Sequence, residues 1–379
     1  MSRFFDLVSR PARDMGEIAA LPPLPAPPPA PALPTTKSRL ITLDSNENPF
    51  GPSSRAVQAM QTALLSANSY PEDDCTQLKR KLAEHHSLPA EQVMVTAGST
   101  GLIALLCQTL LAPGLNAVTS ERSFIVYSMA VHASGAQLVE TPMRDDTIDL
   151  DAILAAINEH TRIVFIANPN NPTGTVLDVH ALNEFMAEIP GHVVIVLDEA
   201  YYEFAAYFAE HRKAEYPKSL EYLRQVENLV VLRTFSKAHG LAGLRIGYGL
   251  GPAELLAYCA RMRNTFSVSS IAQAAAIAAL DDTRHIHRAV SNNAAQAQIM
   301  GVALSEMGFR VIPTWANFLY CDLGADATAV AEGLRTDGVS VRPLRAWGAP
   351  SCIRVSIGVP EQNETFLAAM RKIADARRG

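Results

Sequence analysis

The sequence predicts an α/β fold, with a mainly parallel sheet covered by helices in a large domain and a smaller C-terminal α/β domain. Three observations predict it. Short apolar, β-branched runs alternate with helical segments between residues 93 and 233, which is typical of a parallel sheet covered on both faces. A long helical segment at about 283–307 is then followed by short strands and two helices. Finally, 379 residues with 48% hydrophobic content can bury one large core and one smaller core.

The elements are predicted from hydrophobic periodicity and from turn residues. Strands of the large domain are predicted at 93–96, 116–120, 137–141, 163–166, 193–197 and 229–233, and those of the small domain at 309–312, 317–322, 340–343 and 352–357. Helices are predicted at 54–66, 75–87, from 102 onwards, and at 124–133, 150–159, 178–188, 252–263, 270–281, 283–307, 326–336 and 361–377.

The predicted division has a proline-rich arm at residues 1–40, a large domain at 41–282 and a small domain at 283–379. Residues 22–34 contain too many prolines for a helix, because proline lacks the amide hydrogen and clashes with the preceding turn. No apolar run long enough for a signal peptide or a membrane span is visible, so we expect a cytoplasmic protein that does not bind membranes.

Charge and cysteine usage exclude further classes of function. The net charge is −6 and no basic block occurs, which argues against nucleic acid as a partner. The five cysteines lie far apart, without a Cys-x-x-Cys pair or nearby histidines. We therefore expect reduced, mostly buried thiols and no metal site.

Lys237 is the residue around which the candidate site is built. It lies just past the predicted strand 229–233, follows Ser236 and precedes small residues, with Arg245 eight positions later. A Schiff-base site for pyridoxal phosphate (PLP) needs an uncrowded amine, and the cofactor phosphate needs a hydroxyl and a cation. The alternative interpretation is a surface lysine in a glycine-containing loop.

Polar residues also follow two other predicted strands. Asp198 ends an aliphatic run, and a buried carboxylate there needs a cation or a donor, such as a protonated pyridine nitrogen. Tyr201 and Asn171 could hydrogen-bond the phenolic oxygen of the same ring. The alternatives are that Asp198 caps a helix and that Asn171 is only a turn residue.

Two further patterns suggest anion binding. Residues 97–101 form a small-residue turn between a strand and a helix, where backbone N–H groups and the helix dipole favour a phosphate. Arg354 lies in an otherwise apolar strand and, with Arg342, is a candidate for binding a carboxylate or phosphate. A structural salt bridge is the alternative for Arg354.

Tyr70 lies in the turn Ser69-Tyr-Pro-Glu, and one interpretation is that its side chain simply packs beneath this turn.

Together these motifs resemble the fold type I PLP-dependent aminotransferases of class I and II, over about residues 40–379. Within that family they are similar to the histidinol-phosphate aminotransferase branch. The motifs are Asn46-Glu-Asn-Pro-Phe-Gly-Pro, Ser69-Tyr-Pro-Glu, Ala97-Gly-Ser, Asn170-Asn-Pro-Thr-Gly, Ser236-Lys-Ala-His-Gly-Leu-Ala-Gly-Leu-Arg and Arg354-Val-Ser-Ile-Gly.

The resemblance implies a role for each matching residue. Lys237 forms the Schiff base and moves a proton, and Asp198 pairs with the pyridine nitrogen. The remaining cofactor contacts are implied for Asn171 and Tyr201 at the phenolic oxygen, Phe124 at the ring face, and Ser99, Thr100, Ser236 and Arg245 at the phosphate. Substrate contacts are implied for Arg354, Arg342, Asn317 and Asn46. Tyr70 reaches the cofactor phosphate of a neighbouring subunit, which implies a homodimer with shared active sites.

The activity implied is amino-group transfer between an amino acid or histidinol phosphate and a 2-oxo acid. Two alternatives remain open at this point. A PLP-dependent decarboxylase, lyase or cyclase would use similar ring contacts, and a non-catalytic dimeric binding protein could keep the fold.

Overall fold

The structure is a computed structural model that describes residues 40–378. The proline-rich arm predicted at residues 1–40 lies outside this range apart from its last residue. The strands are β1 (Ile41–Thr42), β2 (Val93–Thr96), β3 (Asn116–Ser120), β4 (Gln137–Thr141), β5 (Met143–Arg144), β6 (Thr147–Ile148), β7 (Thr161–Ala167), β8 (Val194–Asp198), β9 (Leu229–Thr234), β10 (Gly247–Leu250), β11 (Arg310–Ile312), β12 (Phe318–Asp322), β13 (Val339–Ser340), β14 (Arg342–Leu344) and β15 (Ala349–Ser356).

The same part of the chain also forms helices. They are α1 (Ser54–Leu64), α2 (Thr76–His86), α3 (Ser99–Leu110), α4 (Val126–Ala133), α5 (Leu150–Ala156), α6 (Val179–Glu188), α7 (Tyr202–Arg212), α8 (Ser219–Tyr222), α9 (Ala253–Met262), α10 (Ser270–Leu280), α11 (Thr283–Glu306), α12 (Ala327–Thr336) and α13 (Pro360–Arg378). The predicted helices are present with boundaries shifted by a few residues. Helix α7, directly after the Asp198 motif, was not predicted.

The large sheet has seven strands in the order β2-β10-β9-β8-β7-β3-β4. Strands β9, β8, β7, β3 and β4 are parallel to their neighbours in this series, whereas β10 runs antiparallel to both β2 and β9. The predicted mainly parallel sheet covered by helices is therefore confirmed.

Strand β10 contains two glycines in four residues, so its sequence does not predict a strand. Both glycines are required by close packing against the start of α3. A Cβ at Gly247 would lie 2.5 Å from the backbone nitrogen of Ser99, and a Cβ at Gly249 would lie 2.1 Å from Leu102 Cδ2. A sequence that reads as a loop thus forms a buried strand, because only glycine leaves room for the helix.

Alternate residues of the central strands separate two apolar cores. In β7, Val164 and Ile166 pack in one cluster, while Ile163 and Phe165 pack in the other. The first cluster includes residues of α2, α6 and α10, and the second includes residues of α3, α4 and α9. Because successive side chains of a strand point to opposite faces, this division places helices on both faces of the sheet.

A second sheet has four antiparallel strands in the order β11-β12-β15-β14. Its core includes residues of α11, α12 and α13, together with Phe208 of α7. Strand β1 pairs with β13 in a separate two-stranded sheet, and Leu43 packs in the core beside the four-stranded sheet, so the segment before the Asn46 motif is attached to this core. The domain boundaries at 41–282 and 283–379 stay a prediction.

The cysteines and the apolar helices were also considered in the sequence. All five cysteines are buried, as expected. Among residues 40–378, no helix is both long and apolar enough to cross a membrane.

Candidate active site

The candidate site lies where parallel strands of the large sheet end. Asp198 is the last residue of β8, Asn171 follows β7, and Lys237 follows β9. These three residues line a cavity of about 420 Å³. The predicted site residues that line it are Asn46, Ser99, Thr100, Phe124, Asn171, Asp198, Tyr201, Ser236, Lys237, Arg245, Arg342 and Arg354. The structure therefore brings together every predicted site residue except Asn317 and Tyr70.

The Lys237 amine reaches into this cavity from the loop after β9. Its Nζ donates a hydrogen bond to the carbonyl oxygen of Ser45 at 3.2 Å. Burial, together with the positive charge of Arg354, lowers the pKa of Lys237 from 10.5 to about 7. A large fraction of this amine is therefore neutral near pH 7, which is the form that attacks a carbonyl group.

Asp198 is a buried carboxylate, with only 4% of its surface exposed. Its Oδ2 accepts a hydrogen bond from the Tyr127 hydroxyl at 2.9 Å, and its Oδ1 accepts one from the Ala200 amide at 3.1 Å. Burial raises its pKa to about 6, and the bond from Tyr127 opposes this rise. Among residues 40–378, no cationic side chain lies within ion-pair distance of Asp198. A buried carboxylate in this setting has room for a cationic partner from a ligand.

The start of α3 also lines the cavity, through Ser99 and Thr100. Gly98 precedes the helix with φ of 77°, and no side chain caps the first turn. A Cβ on Gly98 would lie 2.7 Å from an Arg245 terminal nitrogen, so the guanidinium is packed against this turn. Arg245 also donates to the Ser236 hydroxyl at 3.4 Å. A helix N-terminus, a hydroxyl and a guanidinium together form a phosphate-binding arrangement.

A chain of hydrogen bonds joins the remaining polar residues. The Tyr201 hydroxyl accepts from Asn46 Nδ2 at 3.0 Å and from Asn171 Nδ2 at 3.2 Å. Asn171 Oδ1 accepts from Arg354 at 2.6 Å. Asn317 lies behind this chain, where its Nδ2 donates to the Asn46 carbonyl at 3.0 Å. Asn317 therefore supports Asn46 and does not line the cavity.

Arg354 and Arg342 form the cationic wall. They are direct cross-strand partners on β15 and β14. Both donate to the carbonyl oxygen of Asp44, Arg354 at 2.9 Å and Arg342 at 3.3 Å. Burial lowers the pKa of Arg354 to about 10, and its Nε is buried without a hydrogen-bond partner. The structural salt bridge considered for Arg354 is not formed with any carboxylate of residues 40–378.

Tyr70 is not part of the cavity of its own chain. Its side chain is 83% exposed and stacks on Phe266, with ring centroids 4.6 Å apart. The interpretation that Tyr70 packs beneath a turn is therefore wrong for this chain, because most of the residue is exposed to solvent.

Three contributors to the site were not predicted from the sequence. The Ser45 carbonyl oxygen accepts a hydrogen bond from Lys237, and the Tyr127 hydroxyl donates one to Asp198. Trp347 lines the cavity. Tyr127 carries one signal that could have identified it, because it lies three residues after Phe124 in a predicted helix and so on the same helical face. A backbone carbonyl carries no such signal.

The residues present fit PLP. The cofactor would require an amine, a partner for a protonated ring nitrogen, donors for a phenolic oxygen and a phosphate site. The cavity offers Lys237, the buried Asp198 without a cationic partner, the Tyr201 and Asn171 pair, and the uncapped start of α3 beside Arg245. Phe124 supplies an apolar ring in the same cavity.

Comparison with known proteins gives the same result. Residues 38–370 match the family model described as "Aminotransferase class I and II". Histidinol-phosphate aminotransferase 2 of Pseudomonas aeruginosa is 44% identical over 335 residues, which cover 88% of this chain and 89% of that protein. The Pseudomonas fluorescens (strain Pf0-1) protein of the same name is 43% identical over 334 residues, with the same coverage.

A solved structure is also similar. The crystal structure of histidinol-phosphate aminotransferase from Sinorhizobium meliloti in complex with pyridoxal-5'-phosphate has a TM-score of 0.82 and 30% sequence identity. The match covers 89% of this chain and 92% of that one. The family resemblance of the motifs is thereby confirmed: the chain belongs to the class I and II aminotransferases, and its reaction is PLP-dependent transamination.

Proposed function

We propose that the protein transfers the amino group between histidinol phosphate and a 2-oxo acid. The observation that carries this proposal is the Arg342 and Arg354 pair on the cavity wall, without a carboxylate partner among residues 40–378. A guanidinium pair binds a phosphate or a carboxylate, and such a group must reach the cavity with each substrate. The relatives at 43% and 44% identity, named for histidinol phosphate, favour a phosphate-bearing amino donor.

The bound cofactor supplies an electron-accepting ring that stabilises negative charge at the substrate carbon. We propose that Lys237 holds the cofactor and then carries a proton at its Nζ, for which a pKa of about 7 is well suited. Asp198 would keep the ring nitrogen protonated, and Tyr201 and Asn171 would bind the phenolic oxygen. Ser99, Thr100, Ser236 and Arg245 would bind the cofactor phosphate, with Phe124 against the ring face.

We further propose that Arg354 and Arg342 bind the anionic group of the substrate. Asn46 would contact the substrate directly, because it lines the cavity. Asn317 would act through Asn46, since its amide donates to the Asn46 carbonyl.

The test is a half-reaction with the purified holoenzyme, followed by the absorbance change from the pyridoxal to the pyridoxamine form. Histidinol phosphate is compared with histidinol, which lacks only the phosphate, and with phenylalanine. We expect a kcat/KM for histidinol phosphate at least about 100-fold above that for histidinol, since each charged hydrogen bond contributes roughly 1.5–3 kcal/mol. Equal rates with histidinol and histidinol phosphate would reject the proposed substrate. A faster reaction with phenylalanine would assign an aromatic amino acid instead.

We also propose a homodimer in which Tyr70 contributes to the partner's site. This proposal is supported by the exposed stack of Tyr70 on Phe266 and by further large apolar side chains that are exposed in the single chain. These are Leu64, Leu65, Tyr258 and Met262. Sedimentation of the holoenzyme should give a dimer. Tyr70→Ala should weaken PLP binding, whereas a control at an exposed apolar residue outside this set, Ile299→Ala, should not. A monomer that binds PLP normally would overturn this proposal.

A further inference from the structure

Tyr127 lies behind the cofactor cavity and is completely buried. It belongs to α4, where its ring stacks on Phe165 of β7 with centroids 4.6 Å apart and an interplanar angle of 8°. The edge of the Phe124 ring also packs against it, at 5.6 Å and 90°. The described residues that line the cavity include Phe124 but not Tyr127. Tyr127 therefore contacts Phe124 of the site without lining the cavity itself.

The hydroxyl of Tyr127 is directed at Asp198. The stack on Phe165 places the phenol beside the neighbouring strand β8, where the O–H donates to Asp198 Oδ2 at 2.9 Å. Burial raises the pKa of Tyr127 well above its usual value of 10, so the phenol keeps its proton throughout the neutral range. It is therefore a permanent donor, which stabilises the ionised form of the carboxylate.

Few other groups act on Asp198. The Ala200 amide donates to Oδ1, and Tyr127 is the one side chain of residues 40–378 that donates to this carboxylate. The charged or titratable groups that influence Asp198 include Tyr127, Glu199, Tyr201 and Lys237. Of these, Glu199 disfavours and Lys237 favours the ionised carboxylate. The orientation of Asp198 thus depends on one backbone donor and one phenol.

We infer that Tyr127 is a positioning residue for transamination: by donating to Oδ2 it orients the Asp198 carboxylate and leaves the remaining lone pairs for the ring nitrogen of the cofactor. This inference rests on the role proposed for Asp198. Because Tyr127 also packs on Phe124, one side chain of α4 contacts both the carboxylate and the aromatic ring that line the cavity.

The test uses Tyr127→Phe, which removes the hydroxyl and keeps the stacking ring. The matched control is Tyr222→Phe, because Tyr222 also donates from its hydroxyl, to Asn183 Oδ1 at 2.6 Å, and neither residue lines the cavity. The measurement is the dissociation constant of PLP for the apoprotein, determined between pH 5 and 8. We expect roughly tenfold weaker PLP binding in Tyr127→Phe at neutral pH, the size of one hydrogen bond to a charged group. Tyr222→Phe should bind PLP normally.

The pH dependence separates a positioning role from a merely structural one. Without the phenol the pKa of Asp198 should rise, because the bond from Tyr127 lowers it. The acid limb of PLP binding should therefore move to higher pH when Tyr127 is replaced by Phe. This limb is compared in a Lys237→Ala background, so that the titration of the amine near pH 7 does not contribute. Weaker binding at every pH by the same factor, without movement of this limb, would overturn the inference.

A double-mutant cycle with Asp198→Asn completes the test. If Tyr127 acts through the carboxylate, Tyr127→Phe should have little further effect on PLP affinity in the Asp198→Asn background. Equal effects in both backgrounds would reject the inference and leave the role of Asp198 intact. If Asp198→Asn itself leaves PLP affinity and turnover unchanged, the proposed role of Asp198 fails instead, so the two failures are distinguishable.

Discussion

Arg342 and Arg354 stand directly opposite each other on β14 and β15, although both side chains are positively charged. Like charges at such a cross-strand position destabilise a sheet. Both guanidinium groups share the Asp44 carbonyl, and within residues 40–378 neither has a carboxylate at ion-pair distance. An anion bound between them would relieve this repulsion, so we expect ligand binding and local stability to be coupled.

The first prediction concerns Arg354. Arg354→Lys keeps the charge but loses the planar fork of donors, including the 2.6 Å bond to Asn171 Oδ1. We expect kcat/KM for the amino donor to fall roughly 100-fold, mostly through KM, since a charged hydrogen bond contributes about 1.5–3 kcal/mol. The PLP dissociation constant, measured in parallel, should change much less. A normal KM would place the anion site elsewhere.

The second prediction concerns the pH dependence of Lys237. Burial first, and the charge of Arg354 second, lower its pKa from 10.5 to about 7. Only the neutral amine reacts, so borohydride trapping of PLP on the apoprotein should rise with pH around 7 and level off above it. A lysine with its usual pKa would give rates that still rise near pH 10. Peptide mapping should find the pyridoxyl group at Lys237 and, in Lys237→Ala, at no other position with comparable yield.

In Arg354→Met the midpoint of this curve should move to higher pH, because the neighbouring positive charge that disfavours the lysine cation is removed. An unchanged midpoint would show that burial alone lowers the pKa of Lys237.

The third prediction concerns Gly240, three residues after Lys237. Its φ is +72°, and a Cβ there would lie 2.1 Å from the carbonyl oxygen of Gly51. Gly240→Ala should therefore lower the free energy of unfolding by about 2–4 kcal/mol, from left-handed backbone strain and the clash together. Gly243→Ala is the matched control, because no atom lies within 4 Å of its Cβ position. Thermal unfolding of both variants checks this, and equal melting temperatures would contradict it.

The fourth prediction concerns the buried ion pair between Arg233 and Glu199, at 2.6 Å with side-chain exposures of 4% and 0%. Glu199→Gln leaves the guanidinium buried without its counterion and should cost about 3–5 kcal/mol in unfolding free energy. The exposed pair of Lys372 and Asp337, at 3.1 Å with exposures of 70% and 37%, is the control. There Asp337→Asn should cost less than about 1 kcal/mol. Similar losses in denaturant unfolding would contradict the difference.

Much of the site was predictable because of one rule of parallel sheets. Asn171, Asp198 and Lys237 lie 66 or fewer positions apart, and each follows an apolar strand. The carboxyl ends of neighbouring parallel strands meet at one edge, so polar residues that follow such strands come together. Their grouping in one cavity therefore required only the order of strands and helices along the chain.

The sequence by itself determined the α/β class, the family motifs and the residues that collect at this edge. The tertiary structure decided that β10 is a strand, that Tyr127 donates to Asp198, that the Ser45 carbonyl holds Lys237 and that Arg342 faces Arg354. The physical reason is that strand membership of a glycine-rich segment and hydrogen-bond partners far apart in sequence depend on how helices pack on the sheets and how the two sheets meet. No local propensity encodes those distances.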